Sequence, residues 1–196
     1  MEENRWAENV MLVDADYVDS VAFDLTVNFE RMLGRRVPQA DMARWTECVA
    51  LDGGLREGEH EVMVLLVHDR QRKAMNNFVP GNYEEELHGM AFKGRLGEFS
   101  FTAVQTEAMA GKEDLLADLL EVVCTQAGVK RLMVVAAEPM LDTVRRKLRQ
   151  YDSEERHTTV FVMQPVQGGT FRQELLGYSL MAALGISGKE IEEKMK

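Results

Sequence analysis

The chain has 196 residues, 33 of them acidic and 23 basic, and its formal net charge at pH 7 is −10. Its length suits one domain over residues 1–196, and no apolar run approaches the roughly 20 residues that a membrane span requires. An acidic, polar N-terminus and two cysteines without disulfide or zinc-ligand spacing predict a cytoplasmic protein with no membrane association. The negative charge disfavours RNA or other nucleic acid as a partner, because affinity for phosphates comes mainly from Lys and Arg.

Apolar periodicity predicts strands and helices that alternate along the chain. Runs of consecutive apolar residues are typical of buried parallel strands, whereas apolar residues at helical spacing, closed by Gly, predict helices. Strands are predicted over residues 11–16, 60–67, 98–104, 131–136 and 158–163, and helices over 16–33, 39–51, 84–92, 112–127, 140–149, 171–184 and from 187 onward. The alternation predicts an α/β fold, a three-layer α/β/α sandwich of Rossmann-like type with a mostly parallel sheet of about five strands.

Acidic side chains follow several of the predicted strands. Asp14 and Asp16 come at the end of the first strand and share a face, since side chains alternate along a strand. Glu138 follows the fourth strand, and Asp114 and Asp118 lie one turn apart at the start of the helix behind the third strand. The carboxyl ends of parallel strands meet at one edge of a sheet, so these carboxylates predict a site for Mg²⁺ or Mn²⁺.

Each of these acids also has a purely structural interpretation. Asp16 or Asp19 can act as the N-cap of the helix that follows the first strand, because Asp is a favoured cap. Asp114 is favoured near a helix N-terminus by the macrodipole, and Glu138 can cap the helix that begins at Pro139. Capping needs only one acid at each helix start, whereas a metal site needs the acids of several elements together.

Three patches of the chain resemble the NYN branch of the PIN-like nucleases. They are Asp14-Ala-Asp16 after an apolar strand, Gly111-Lys-Glu-Asp-Leu-Leu-Ala-Asp118 at a helix start, and Leu132-Met-Val-Val-Ala-Ala-Glu138 before a helix. In the order of elements the resemblance covers residues 10–164. It implies an α/β/α sandwich and metal-dependent cleavage of RNA. The residues that match the family are Asp14, Asp114 and Glu138 as catalytic residues, with Asp16 and Asp118 as further metal ligands.

The third patch departs from the family pattern. Where the family has Ser-Gly-Asp-Ser-Asp-Phe, this chain has Ala136-Ala-Glu-Pro-Met-Leu141, and Tyr17 replaces the Asn usually found near the first Asp. One acid is thereby lengthened to Glu138, and the next is replaced by Met140. A second hypothesis is therefore a catalytically inactive PIN-like module that recognises another protein. The chain also resembles uncharacterised bacterial proteins of unknown function.

The first strand also resembles a motif of the haloacid-dehalogenase-like phosphatases, an apolar strand followed by Asp-x-Asp. In such an enzyme Asp14 attacks phosphorus as the nucleophile, and Asp16 acts as general acid and base. Lys112 or Lys130 then supplies the lysine of that family, and residues 138–142 echo its late acidic pair. A long helix follows the first strand at once, where that family has a flap.

Two further patterns concern partners and surfaces. The helices predicted after residue 171 are expected to pack on the domain or at an oligomer interface. Apolar residues of the helix predicted over 171–184 extend beyond one face, with Tyr178 and Met181 widening the arc. This breadth predicts either a homodimer through the helix or one wide face packed on the sheet. Short basic runs typical of solvated surfaces lie at residues 35–36, 70–73 and 145–149.

Overall fold

The computed structural model describes residues 5–168 and 171–196. The strands are β1 (Asn9–Asp14), β2 (Ala40–Asp41), β3 (His60–His68), β4 (Phe78–Val79), β5 (Ala91–Gly94), β6 (Gly97–Gln105), β7 (Arg131–Val135), β8 (His157–Val162) and β9 (Arg172–Leu175). The helices are α1 (Ala15–Leu33), α2 (Met42–Asp52), α3 (Lys112–Cys124), α4 (Leu141–Gln150), α5 (Leu176–Ala183) and α6 (Gly188–Met195). A π-helical turn covers Tyr83–Leu87, and a 3-10 turn covers Glu138–Met140.

The main sheet has seven strands in the order β5, β6, β3, β1, β7, β8, β9. All neighbours pair in parallel except the edge strand β5, which is antiparallel to β6. The six parallel strands, numbered along the chain, follow the order 3-2-1-4-5-6, so the winding reverses between β1 and β7. Ligands of open α/β sheets bind outside the carboxyl ends of the strands at such a reversal. In this chain that point lies where β1 ends at Asp14 and β7 ends at Val135.

The two faces of the sheet are both covered, as the continuous apolar character of β1 predicts. All six residues of β1 are buried. Met11 and Val13 enter the core beneath α1, α2 and α5, whereas Val10 and Leu12 enter the core beneath α3 and α4. This alternation produces three layers, helix on sheet on helix. The predicted α/β sandwich with a mostly parallel sheet is confirmed.

The sheet is wider than the five predicted strands because two segments predicted as helix form short edge strands. The first residues of the helix predicted over 171–184 form β9, which pairs in parallel with β8, and α5 begins only at Leu176. The helix predicted over 84–92 is reduced to the π-helical turn that ends at Leu87. Gly89 follows with a φ of 77°, a left-handed conformation that ends helical structure, and the chain then enters β5.

Most of the apolar surface of α5 is buried within the chain. Leu176, Leu180 and Ala183 are buried, and α5 packs against α2. Tyr178 is the exception, with 68% of its surface exposed. The wide apolar face is thus largely used inside the molecule, and the homodimer stays a prediction. Within residues 5–168 and 171–196, no helix combines the length and apolar character that crossing a bilayer demands.

Candidate functional site

Asp14 lies at the carboxyl end of β1, beside the reversal in strand order, and is buried. Its extended backbone (φ −74°, ψ 93°) makes it the N-cap of α1, and its Oδ1 accepts the backbone N–H of Tyr17 at 3.1 Å. The cap is therefore Asp14 rather than Asp16 or Asp19, which lie inside the helix. The Nζ of Lys112 lies 3.1 Å from the same Oδ1.

Asp16 lies in the first turn of α1 and has three partners. Its Oδ2 accepts the backbone N–H of Asp69 at 2.7 Å, and its Oδ1 accepts the hydroxyl of Tyr83 at 3.2 Å. The Nζ of Lys112 lies 3.5 Å from Oδ2. Lys112 is the first residue of α3, so one ammonium bridges two carboxylates that come from the start of α1. We call Asp14, Asp16 and Lys112 the switch-point cluster.

Burial changes the proton affinity of this cluster. It raises the pKa of Asp14, and the attraction of the Lys112 ammonium opposes that rise without cancelling it. Burial also raises the pKa of Tyr83, with the charge of Asp16 and its hydrogen bond adding to the effect. The pKa of Tyr17 is raised by burial and then by the charges of Glu138 and Asp14. Glu138 therefore acts on the same edge of the sheet through its electrostatic field.

The other acids predicted for a metal site do not join the cluster. Asp114, Asp118 and Glu138 are exposed, and none of their side chains makes a hydrogen bond or ion pair within the described ranges. Glu138 opens the 3-10 turn after β7, whereas Asp114 and Asp118 lie on α3. Among residues 5–168 and 171–196, no three His, Cys, Asp or Glu side chains are grouped closely enough to hold a metal ion.

A cavity of about 410 Å³ opens beside the switch-point cluster, over the carboxyl ends of β3 and β6. Its wall includes an aromatic pair, because the rings of His68 and Tyr83 stack with centroids 3.7 Å apart and planes 7° from parallel. The Tyr83 hydroxyl that binds Asp16 links this wall to the cluster. The lining residues are His68, Arg72, Lys73, Asn82, Tyr83, Glu84, Glu85, His88, Ala103 and Gln105.

A family model matches residues 3–191, which is almost the whole chain. The chain belongs to DUF6621, a family of unknown function. No curated protein matches the chain, and no solved structure does. The resemblance of this DUF6621 chain to uncharacterised proteins is thus confirmed, and its resemblance to PIN-like nucleases remains a hypothesis.

Sequence reasoning on this DUF6621 chain identified the two carboxylates of the cluster but not all their partners. Lys112 was considered only as the lysine of a phosphatase, although it contacts both acids. Tyr83 was missed, because it lies in a segment with no strand-end position and no motif. His68 ends β3, so the end of that apolar run is a sequence feature that points to the cavity.

The chemistry open to the switch-point cluster follows from its charges. The two carboxylates supply oxygen atoms, which Mg²⁺ and Mn²⁺ prefer as ligands. The ammonium of Lys112 bridges these carboxylates, however, and would repel a second cation placed there. The exposed acids of α3 and of the 3-10 turn do not complete an oxygen cage. The described residues therefore do not fit a divalent metal.

Proposed function

We propose that this chain is a catalytically inactive PIN-like module that binds a partner without metal-dependent hydrolysis. The observation that carries the proposal is the position of Lys112, whose Nζ lies 3.1 Å from Asp14 and 3.5 Å from Asp16. In the nuclease hypothesis a divalent cation draws the same carboxylates together and activates a water. In this chain a side chain of its own supplies the positive charge. The net charge of −10 favours a protein over RNA as the macromolecular partner.

Burial and hydrogen bonding support this interpretation. The Asp14 carboxylate accepts a hydrogen bond from the backbone of Tyr17 at the N-terminus of α1. The Asp16 carboxylate accepts hydrogen bonds from Asp69 and Tyr83. A carboxylate that coordinates a metal must direct lone pairs to the ion, and here most of those positions already have donors. The cluster therefore joins α1, α3 and the segment after β3, which is a structural role for residues that a nuclease uses in catalysis.

The proposal is tested by thermal unfolding in Mn²⁺ and Mg²⁺. The unchanged protein should show no rise in Tm, whereas Lys112→Met leaves two carboxylates without their cation and should gain a metal-dependent rise. Ligand binding at a hundredfold excess over Kd stabilises by about 2.7 kcal/mol, so the gain is measurable. Lys130→Met is the matched control, because Lys130 pairs with the exposed Glu155 at 3.2 Å and lies outside the switch-point cluster. An equal rise in the unchanged protein and Lys112→Met would contradict the proposal.

A direct assay separates the module from the nuclease. Single-stranded RNA should stay intact with the protein in Mn²⁺, in Mg²⁺ and in EDTA. Cleavage that requires metal, is abolished by EDTA and is lost in Asp14→Asn would replace the module with a PIN-like ribonuclease. The two assays are independent, since one measures metal binding and the other measures chemistry.

The contact between Lys112 and Asp14 also favours a second candidate, a haloacid-dehalogenase-like phosphatase. There Asp14 attacks phosphorus, the alcohol leaves with a proton from Asp16, and water then hydrolyses the acyl phosphate. The lysine beside the nucleophile stabilises the negative charge of the phosphate. Hydrolysis of a phosphomonoester that is lost in Asp14→Asn and retained in Lys130→Met would support this candidate. No hydrolysis by the unchanged protein would remove it.

A further inference from the structure

We propose that the cavity beside the switch-point cluster binds a nucleoside monophosphate. The inference rests on the proposed function in one respect, since the ligand is bound and not hydrolysed. The cavity of about 410 Å³ lies at the small end of the about 300–1,000 Å³ typical of ligand pockets. It lies at the carboxyl ends of parallel strands, where open α/β sheets take their ligands.

The backbone around the cavity is held in place by hydrogen bonds. The side chain of Asn82 accepts the N–H groups of Glu84 and Glu85 at 3.2 and 3.0 Å, which caps the π-helical turn. Tyr83 N–H donates to the carbonyl of Lys73 at 3.0 Å, so the turn is tied to the basic run at 70–73. The walls are therefore formed before any ligand arrives, which lowers the entropy that binding must overcome.

The charged side chains of these walls lack partners of their own. Arg72 and Lys73 make no ion pair within residues 5–168 and 171–196, and neither do Glu84 and Glu85. Two cations and two carboxylates thus line one cavity without neutralising each other. A ligand that carries both a phosphate and hydrogen-bond donors matches both sets. Arg suits phosphate because its fork donates two parallel hydrogen bonds.

The two histidines of the cavity have complementary hydrogen-bonding states. His88 Nδ1 accepts the backbone N–H of Ala103 at 3.1 Å, so its proton lies on Nε2, which is a donor. His68 Nδ1 lies 2.9 Å from the carbonyl oxygen of Asp69 and must donate to it, and in the neutral ring Nε2 is then an acceptor. The lining therefore offers both kinds of group, as the mixed donors and acceptors of a ribose and a base require.

A nucleoside monophosphate carries groups that match both the cations and the carboxylates of this lining. Its phosphate carries about two negative charges at neutral pH, as many as Arg72 and Lys73 neutralise. Its ribose hydroxyls, and the exocyclic amino group of adenine, guanine or cytosine, are donors for the carboxylates of Glu84 and Glu85. Polymeric RNA fits less well, because the same carboxylates and the net charge of −10 repel a continuous phosphate backbone.

The test is isothermal titration calorimetry of the full chain in EDTA with AMP, GMP, CMP and UMP. At least one monophosphate should bind at about 1 mM or below, and the nucleoside, ribose 5-phosphate and inorganic phosphate should each bind at least about tenfold more weakly. Arg72→Gln should weaken the monophosphate about tenfold or more, because it removes a charge-assisted hydrogen bond. Arg70→Gln is the matched control, since Arg70 belongs to the same basic run but does not line the cavity.

Three results would overturn the inference. They are no binding of any monophosphate, equal binding of inorganic phosphate or ribose 5-phosphate, and equal weakening by Arg70→Gln and Arg72→Gln. Binding of single-stranded RNA without binding of a monophosphate would also overturn it. Because the titration contains no divalent metal, its failure leaves the response of Lys112→Met to Mn²⁺, and with it the proposed function, unaffected.

Discussion

The carboxyl edge of the sheet has two halves that treat their charges differently. At β1 the carboxylates of Asp14 and Asp16 are bridged by Lys112 and hydrogen-bonded by the backbone. At β3 and β6 the charges of Arg72 and Glu85 line an open cavity without ion-pair partners in the described ranges. We call the first half closed, because other groups of the chain neutralise its charges. In the second half the charges are open to a bound molecule. Polar residues at strand ends therefore identify the carboxyl edge of the sheet. Whether their charges already have partners within the chain decides which part of that edge is open to a ligand.

Tyr83 contacts both halves of this edge, and its removal should cause the largest loss in the free energy of unfolding. It is 2% exposed, stacks on His68 and donates its hydroxyl to Asp16. Tyr83→Ala should lower the free energy of unfolding by about 3–5 kcal/mol, whereas Tyr83→Phe should cost only about 1 kcal/mol. Urea unfolding of both variants measures the difference. Equal losses in the two variants would show that the hydroxyl, and not the ring, connects the halves.

Lys112→Met tests whether the closed half depends on its ammonium. Removal of the cation leaves the buried Asp14 carboxylate beside Asp16 without compensation, so unfolding free energy should fall by about 1–3 kcal/mol at neutral pH. Lys130→Met, at an exposed pair, should change it by less than about 0.5 kcal/mol. Equal effects in urea unfolding would mean that the bridge at the switch point contributes no more than a surface ion pair.

Asp14→Asn should change how the free energy of unfolding depends on pH. The change should be smaller than that caused by Lys112→Met, but its sign is defined. Burial raises the folded-state pKa of Asp14, so the stability it contributes is complete below its unfolded-state pKa of about 3.9 and is lost as pH rises through the folded-state pKa. Asn keeps the N-cap and does not titrate. The variant should therefore gain stability relative to the unchanged protein as pH rises from about 4 through the folded-state pKa of Asp14. A flat difference would show that the attraction of Lys112 cancels the effect of burial on the pKa of Asp14, and a difference of opposite sign would show that it outweighs burial.

The exposed acids should produce the smallest effect. The double variant Asp114→Asn, Glu138→Gln should change the free energy of unfolding by less than about 0.5 kcal/mol, because neither side chain has a partner in the described part of the chain. Its monophosphate titration should match that of the unchanged protein. A loss above about 1 kcal/mol would mean that these acids belong to the closed half after all.

The sequence predicted strands correctly where a run of apolar residues must be buried on both faces of the sheet. The apolar runs of β1 and β3 predicted parallel strands because both faces of such strands must be covered. It failed for β9, whose Arg172–Leu175 segment pairs on one side only and carries no apolar run. At an edge, pairing is decided by the neighbouring strand and not by the segment's own residues.

The residues of the switch-point cluster were only partly predictable from the sequence. The period of two along a strand predicted that Asp14 and Asp16 share a strand face, and that reason is wrong, because Asp16 lies in the first turn of α1. The two carboxylates are connected instead through the ammonium of Lys112.

The contribution of α3 depended on its rotation, because residues two apart on a helix point about 200° apart. Lys112 is turned toward the cluster, so Asp114 is turned away from it. The apolar stripe of α3, with Leu116 and Leu120 buried, continues back to Lys112 at a spacing of four residues, so helical periodicity indicates that Lys112 faces the sheet edge.

The outer strands β5 and β9 limit how a partner can approach. Each has only four residues, and Lys93 on β5 and Arg172 and Glu174 on β9 are charged. Short, charged edges resist addition of a further strand from another chain. We therefore expect recognition of this molecule to use side chains and shape, with no extension of its sheet into a partner.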